Sequence, residues 1–166
     1  MFLKRSSVIV FLLIQVSVFS TNLTPLDFRL SFQKAIENEG LCVKFIGELE
    51  TIKNDAYVYR AYRAVAVMSL SKFTTSPAEK LYYFYKGKSE LELAIKNTPD
   101  NAELRFLRLA AQDFIPGFLL YDNQEEDLAF LLRNLDKIDE TFYVREVKNY
   151  LVHMGHIKKN NQLSMR

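Results

Sequence analysis

A single cysteine, Cys42, occurs among the 166 residues, so no disulfide can close within the chain. Any fold must then rest on its apolar core. Cys42 lies between Leu41 and Val43 in an apolar pattern, and a buried, inert thiol is expected there rather than a nucleophile. Glycine and proline are scarce, at 5 and 4 residues, which excludes a loop-rich or disordered chain. The two histidines are His153 and His156, so everything before them lacks an imidazole for triad chemistry. No Gly-rich phosphate loop, His-Glu-x-x-His, Cys-x-x-Cys or Gly-x-Ser-x-Gly pattern is present. The expectation is a protein without catalytic residues, metal or cofactor. A charge surplus is also missing. Lys and Arg number 22 against 20 Asp and Glu, and two of the cations, Lys4 and Arg5, fall in an N-terminal leader. Phosphate-binding surfaces need a basic excess, so no nucleic-acid partner is expected.

The leader is the clearest signal present. Lys4 and Arg5 form a short basic start, and Val8 to Phe19 is an apolar run broken only by Gln15 and Ser17. Val18-Phe19-Ser20 precedes Thr21 as an exit suited to a signal peptidase. This order is that of a secretory signal over residues 1–20. The run is shorter than the roughly 20 apolar residues a membrane span needs. An N-terminal anchor or a buried strand is the competing reading. Residue 21 is not cysteine, so lipoprotein anchoring is not indicated, and no later apolar run reaches spanning length. The expected mature protein is exported, periplasmic or extracellular, with no membrane span. Residues 21–157 would form one domain and 158–166 a polar tail that frays.

Within that domain helical periodicity dominates. Thr24-Pro25 opens a first helix with Leu26, Leu30, Phe32 or Gln33, and Ile36 on its stripe, stopping near Asn38-Glu39-Gly40. A second runs from Leu41 to Ile52 with Cys42, Phe45, Ile46 and Leu49 on one side. A third covers Ala56 to Phe73, with Ala61, Ala64, Val65, Met68 and Ser69 spaced for close packing. Ser76-Pro77 opens a fourth that lasts to Lys96. Asp100 and Glu103 form a capping box for a fifth, which carries Leu104, Leu107, Ala111 and Phe114. A sixth spans Gln124 to Leu135, and a seventh, capped by Asp139, ends at Gly155. The fold class is all-α: six to seven helices joined by short loops, which favour antiparallel hairpins.

Gly87, Leu91, Ala94 and Pro99 fall at the spacing found at the junction of tetratricopeptide repeats, and the segment from Gly87 to Glu103 resembles such a junction. The resemblance implies a TPR-like hairpin array, whose extended faces hold protein partners. Arg105 and Arg108 replace the large apolar residues of the family pattern, and no second copy follows at the repeat period. The segment from Arg105 through Asp127 is also similar to small exported helical proteins of Bacteroidota, a similarity that supplies no mechanism.

Candidate binding residues come from the stretch Tyr57-Val-Tyr59-Arg60-Ala-Tyr62-Arg63. Tyrosine and arginine at helical spacing suit peptide recognition, because both offer contact area and hydrogen bonds at modest entropic cost. Arg105 and Arg108 form a second pair on the polar side of the fifth helix. Tyr59, Arg60, Tyr62, Arg63, Arg105 and Arg108 would therefore line a groove for carboxylate-bearing ligands. The opposing reading pairs each arginine with a carboxylate such as Glu103 or Asp127 and gives it a packing role. Tyr82-Tyr83-Phe84-Tyr85 reads as core, with Phe84, Lys88, Leu91 and Ile95 along one stripe. Glu125-Glu126-Asp127 reads as helix-start acids facing the dipole. His153 and His156 lack the further ligands of a zinc set. The expected function is an exported, non-catalytic protein-interaction or scaffold module with a protein or peptide partner. The alternative is a small-molecule or anionic-ligand binding protein, or a divergent enzyme, with an Arg/Tyr-lined pocket.

Overall fold

The computed structural model describes residues 25–52, 56–135 and 141–158. The expected leader, the 53–55 linker, Asp139 and nearly all of the tail lie outside them. Seven α-helices and no strand occur among the described residues. They are α1 (Pro25–Ala35), α2 (Glu39–Thr51), α3 (Tyr57–Ser69), α4 (Pro77–Asn97), α5 (Ala102–Gln112), α6 (Gln124–Asn134) and α7 (Thr141–His153). Short 3₁₀ turns cover Leu70–Lys72 and Gly117–Leu119.

Local chemistry sets the boundaries. The Ser76 hydroxyl accepts from the Glu79 N–H, with Pro77 at the first helical position of α4. Asn38 accepts from the Leu41 N–H and caps α2, so Gly40 lies inside α2 instead of stopping α1. The cap of α5 is Asn101, one residue past the expected Asp100, and its side chain accepts from the N–H groups of Glu103 and Leu104. Glu103 therefore does not close a capping box, and its carboxylate turns to α1 and α3. Gly155 takes φ +81° after α7, a left-handed conformation open to glycine. The Ile157 N–H then reaches the Leu151 carbonyl at 3.2 Å, closing the helix end and burying Ile157.

Burial revises part of the reading of α1. Phe32 is buried and Ile36 packs against the core, but Leu30 is exposed and Phe28 and Ala35 complete the buried stripe. Aromatic packing makes the choice: Phe28 and Phe32 lie against Phe45, and both meet Tyr62 edge to face at 4.7 and 4.8 Å. These rings belong to a first core that also holds Cys42, Leu49, Ala61, Ala64, Met68, Phe84, Leu91, Leu104 and Leu107. A second core joins Ala102, Leu109, Leu131, Leu135, Tyr143, Val147, Leu151 and Ile157. Helix α5 separates the two, with Leu104 and Leu107 in one and Leu109 in the other.

Neighbouring helices pack in the pairs α1–α2, α2–α3, α3–α4 and α5–α6, and α5 also packs on α3 and α4. Gly87 allows the closest of these approaches. A Cβ there would collide with the Ala64 carbonyl oxygen and the Met68 side chain. Phe84, Leu91 and Ile95 of α4 are buried as their stripe predicts, while Tyr82 and Tyr85 are exposed.

Candidate functional site

The odd-numbered helices line a half-open cavity of about 760 Å³. Its walls come from α1, α3, the Leu70–Lys72 turn, α5 with the two residues beyond Asp113, and α7; none comes from α2, α4 or α6. The surfaces it presents are mostly apolar, among them Phe32, Val65, Met68, Phe106, Leu107 and Ala111. This volume lies within the range of pockets that enclose small molecules.

One end of the cavity is closed by a charge network. Arg29 of α1 grips Glu103 of α5 through two nitrogens, Nε to Oε1 at 2.8 Å and a terminal nitrogen to Oε2 at 2.9 Å. The Tyr62 hydroxyl of α3 donates to the same Oε1 at 2.5 Å. Burial of Tyr62, then the negative charge of Glu103, raise the phenol pKa well above its ordinary value, so it remains a donor. The Tyr143 ring of α7 lies 4.3 Å from the Arg29 guanidinium. Three helices thus meet at one carboxylate, and α7 joins them through the Tyr143 ring on Arg29.

The other end is bounded by Lys72, Ile36, Glu37, Phe114 and His153. Lys72 Nζ lies 3.4 Å from the Ile36 carbonyl oxygen, 3.8 Å from Glu37 and 5.7 Å from the Phe114 ring centre. Nearby, Asp113 anchors α7 to α5, accepting from the Tyr150 hydroxyl at 2.7 Å and engaging His156 Nε2 at 2.9 and 3.0 Å. His156 is thereby a packing contact, and His153 stands exposed on the rim.

Of the six candidate binding residues, Tyr62 alone reaches the cavity. Tyr59 stands edge-on to Phe28, at 5.2 Å. Arg60 lies over the Tyr57 ring, and Arg63 bonds Glu90 at 2.9 Å with Glu50 at 3.9 Å. Arg105 bonds Glu126 at 2.6 Å and Asp127 at 3.2 Å. Arg108 is buried, not on a polar face, and meets Asp127 with two nitrogens at 2.6 Å each and Glu92 at 3.0 Å. Burial opposes its charge, yet Asp127 and Glu92 outweigh that, and its pKa is raised. Asp127 is itself fully buried, so it serves this ion pair more than the helix dipole. The Tyr121 hydroxyl completes the cluster, donating to Glu92 at 2.6 Å. Four arginines do not converge on one open groove.

Sequence reasoning missed Arg29 and Lys72, but named Glu103 and Asp127 as arginine partners, and they pair with Arg29 and Arg108. A hint existed: Arg29 stands directly between the apolar Phe28 and Leu30, where a charge calls for a partner. No protein-family model matches the chain, and no match to it is found among curated proteins or among solved structures.

Proposed function

We propose that this chain is an exported, non-catalytic binding protein of TPR-like antiparallel hairpins, and that it holds a small apolar or amphipathic molecule in the cavity of the odd-numbered helices. The observation that carries this reading is the layer order: α1, α3, α5 and α7 face an apolar cavity while the alternate helices stand behind them. Hairpin arrays expose one helix of each pair on their inner face. Antiparallel pairing is supported by matched positions. Arg63 meets Glu90 and Gly87 abuts Ala64 and Met68, while Arg108 meets Asp127 and Gln112 meets Asn123. Gly87 abuts α3, and Leu91 and Ala94 are buried in the core that α3 and α4 share, which supports a TPR-like reading. Export rests on the leader sequence.

Each ligand methylene buried contributes about 0.8 kcal/mol. An apolar body of several carbons is then needed against the roughly 4 to 15 kcal/mol lost in association. Saturable uptake of N-phenyl-1-naphthylamine by the mature chain tests the reading. Fluorescence should rise with the wild type and fail to rise with Ala110→Trp, which fills the cavity, at unchanged helical circular dichroism. A folded wild type that leaves the probe in water would contradict it.

A second reading, a protein-interaction or scaffold module of the cell envelope, is favoured by exposed large apolar side chains. Leu81, Tyr82 and Tyr85 of α4 are exposed, and Phe118 and Leu120 reach 78%. Charge reversal at Arg63 is a poor probe of it, because Arg63 ties α3 to Glu90. A pull-down from envelope fractions comparing wild type with Tyr82→Lys/Tyr85→Lys is the better one. A partner lost in the variant supports that reading; identical captures remove it.

A further inference from the structure

We infer that the ligand of this cavity is a monocarboxylic amphiphile, an apolar chain or ring body ending in one carboxylate, with its head at Lys72 and its body along Phe32, Val65, Met68 and Leu107. This rests on the cavity reading above and names the ligand class for it.

The two ends of the cavity differ in what they offer a polar head. At the Arg29 end a guanidinium and a carboxylate already meet face to face, and the Tyr62 hydroxyl donates to the same carboxylate. An anion brought there meets Glu103, and a cation meets Arg29, so that end favours neither. At the Lys72 end the balance is different. An ammonium has three donors, and Lys72 directs one at the Ile36 carbonyl. Its ion pair with Glu37 spans 3.8 Å between side chains 42% and 74% exposed. Exposed pairs of this kind hold weakly.

A ligand head must displace one member of that pair. Lys72 also contacts the Ile36 carbonyl and lies 5.7 Å from the Phe114 ring centre, whereas Glu37 is 74% exposed. The less exposed charge of the pair is the one that selects, and it is positive. Glu146, the other acid lining the cavity, stands on α7 in an exposed pair with Arg145 at 3.7 Å. His153 also lines the cavity, at the end of α7 away from Tyr143. The cavity wall is mostly apolar, so a largely apolar body fits it.

The experiment uses the mature chain loaded with N-phenyl-1-naphthylamine and three displacing ligands that share one dodecyl body. Dodecanoate should displace the probe about tenfold more tightly than dodecanol or dodecylammonium, all below their micelle thresholds. Lys72→Gln should weaken dodecanoate about tenfold and leave dodecanol within about twofold, and Lys72→Arg should restore the preference for the acid. Lys72 is an exposed turn residue, so these variants should melt with the wild type. Equal displacement by the three ligands, preference for the amine, or a Lys72→Gln protein that still prefers the acid would overturn the carboxylate assignment and leave the cavity reading standing. A folded wild type that takes up no probe overturns both.

Discussion

Arg108 on α5 and Asp127 on α6 meet through two hydrogen bonds of 2.6 Å, at side-chain exposures of 4% and 0%. The pair joins two helices at the boundary of the two cores, with Glu92 of α4 and Arg105 completing its coordination. Removing one partner from a buried pair strands the other charge. Asp127→Ala is expected to cost about 3 to 5 kcal/mol in urea unfolding. Arg108→Met/Asp127→Leu together should recover most of that loss. A single variant as stable as wild type would show that the pair does not join α5 to α6.

Gly87 is expected to resist even a methyl group. Ala is favoured over Gly in a helix by about 1 kcal/mol. Here the added carbon meets the Ala64 carbonyl and the Met68 side chain, and overpacking costs about 1 to 3 kcal/mol. Gly87→Ala should lower Tm by a few degrees and Gly87→Leu by much more, followed by circular dichroism. A rise in Tm for Gly87→Ala would show that α4 shifts to accept it.

The Glu103 junction predicts coupling across three helices. Tyr62→Phe keeps the ring packing and removes the hydroxyl donor, at an expected cost of about 1.5 to 3 kcal/mol for a bond to a charged acceptor. Arg29→Gln and Tyr62→Phe combined should deviate from additivity, because both donate to Glu103 Oε1. Strictly additive losses in a double-mutant cycle would mean that the two donors act independently.

Alkaline pH should destabilise the fold before acid does. Burial pushes the Cys42 thiol from 9.0 up to about 11. Burial, with Glu92 and Asp113 respectively, also raises the Tyr121 and Tyr150 phenols, as Tyr62 is raised. A folded pKa above the unfolded one contributes stability below the unfolded value and loses it as pH rises through the folded one. For Cys42 that window runs from about pH 9 to 11, and the phenols extend it upward. Denaturant midpoints should fall steadily above about pH 9, less steeply in Cys42→Ala. In the other direction, hydrogen bonding by Arg105 holds Glu126 below its usual 4.5, so its contribution fades only as pH drops below that value. Midpoints that stay level from pH 9 to 11 would contradict the buried thiol.

Much of the secondary structure was legible because its signals are local. Ser76-Pro77, the apolar spacing of Cys42, Phe45 and Leu49, and Gly155 each act through neighbours a few residues away. Near misses arose where two local solutions lie close. Asp100 and Asn101 both suit an N-cap, and the backbone geometry selected Asn101. On α1 two stripes had similar periodicity. The burial of Phe28 and Phe32 and the exposure of Leu30 depended on rings from α2 and α3.

The site was much less legible. Arg63 and Glu90 lie 27 positions apart, Arg108 and Asp127 19, and Arg29 and Glu103 74. No periodicity within a helix reports such pairings. Tyr/Arg composition in α3 marked side chains able to bind, but tertiary packing gave Arg63, Arg105 and Arg108 carboxylates of this chain. The arginine that does stand at the cavity, Arg29, lies outside that stretch.

By itself the sequence determined an all-helical chain, the approximate extent of each helix, and a thiol suited to burial, because periodicity, capping and composition act over one or two turns. The tertiary structure alone decided which faces of α5 enter two separate cores, which carboxylate meets each arginine, and that four helices leave a cavity between them. Those outcomes follow from the simultaneous packing of helices distant in the chain, where burial makes each charge find a partner and each ring find a neighbour.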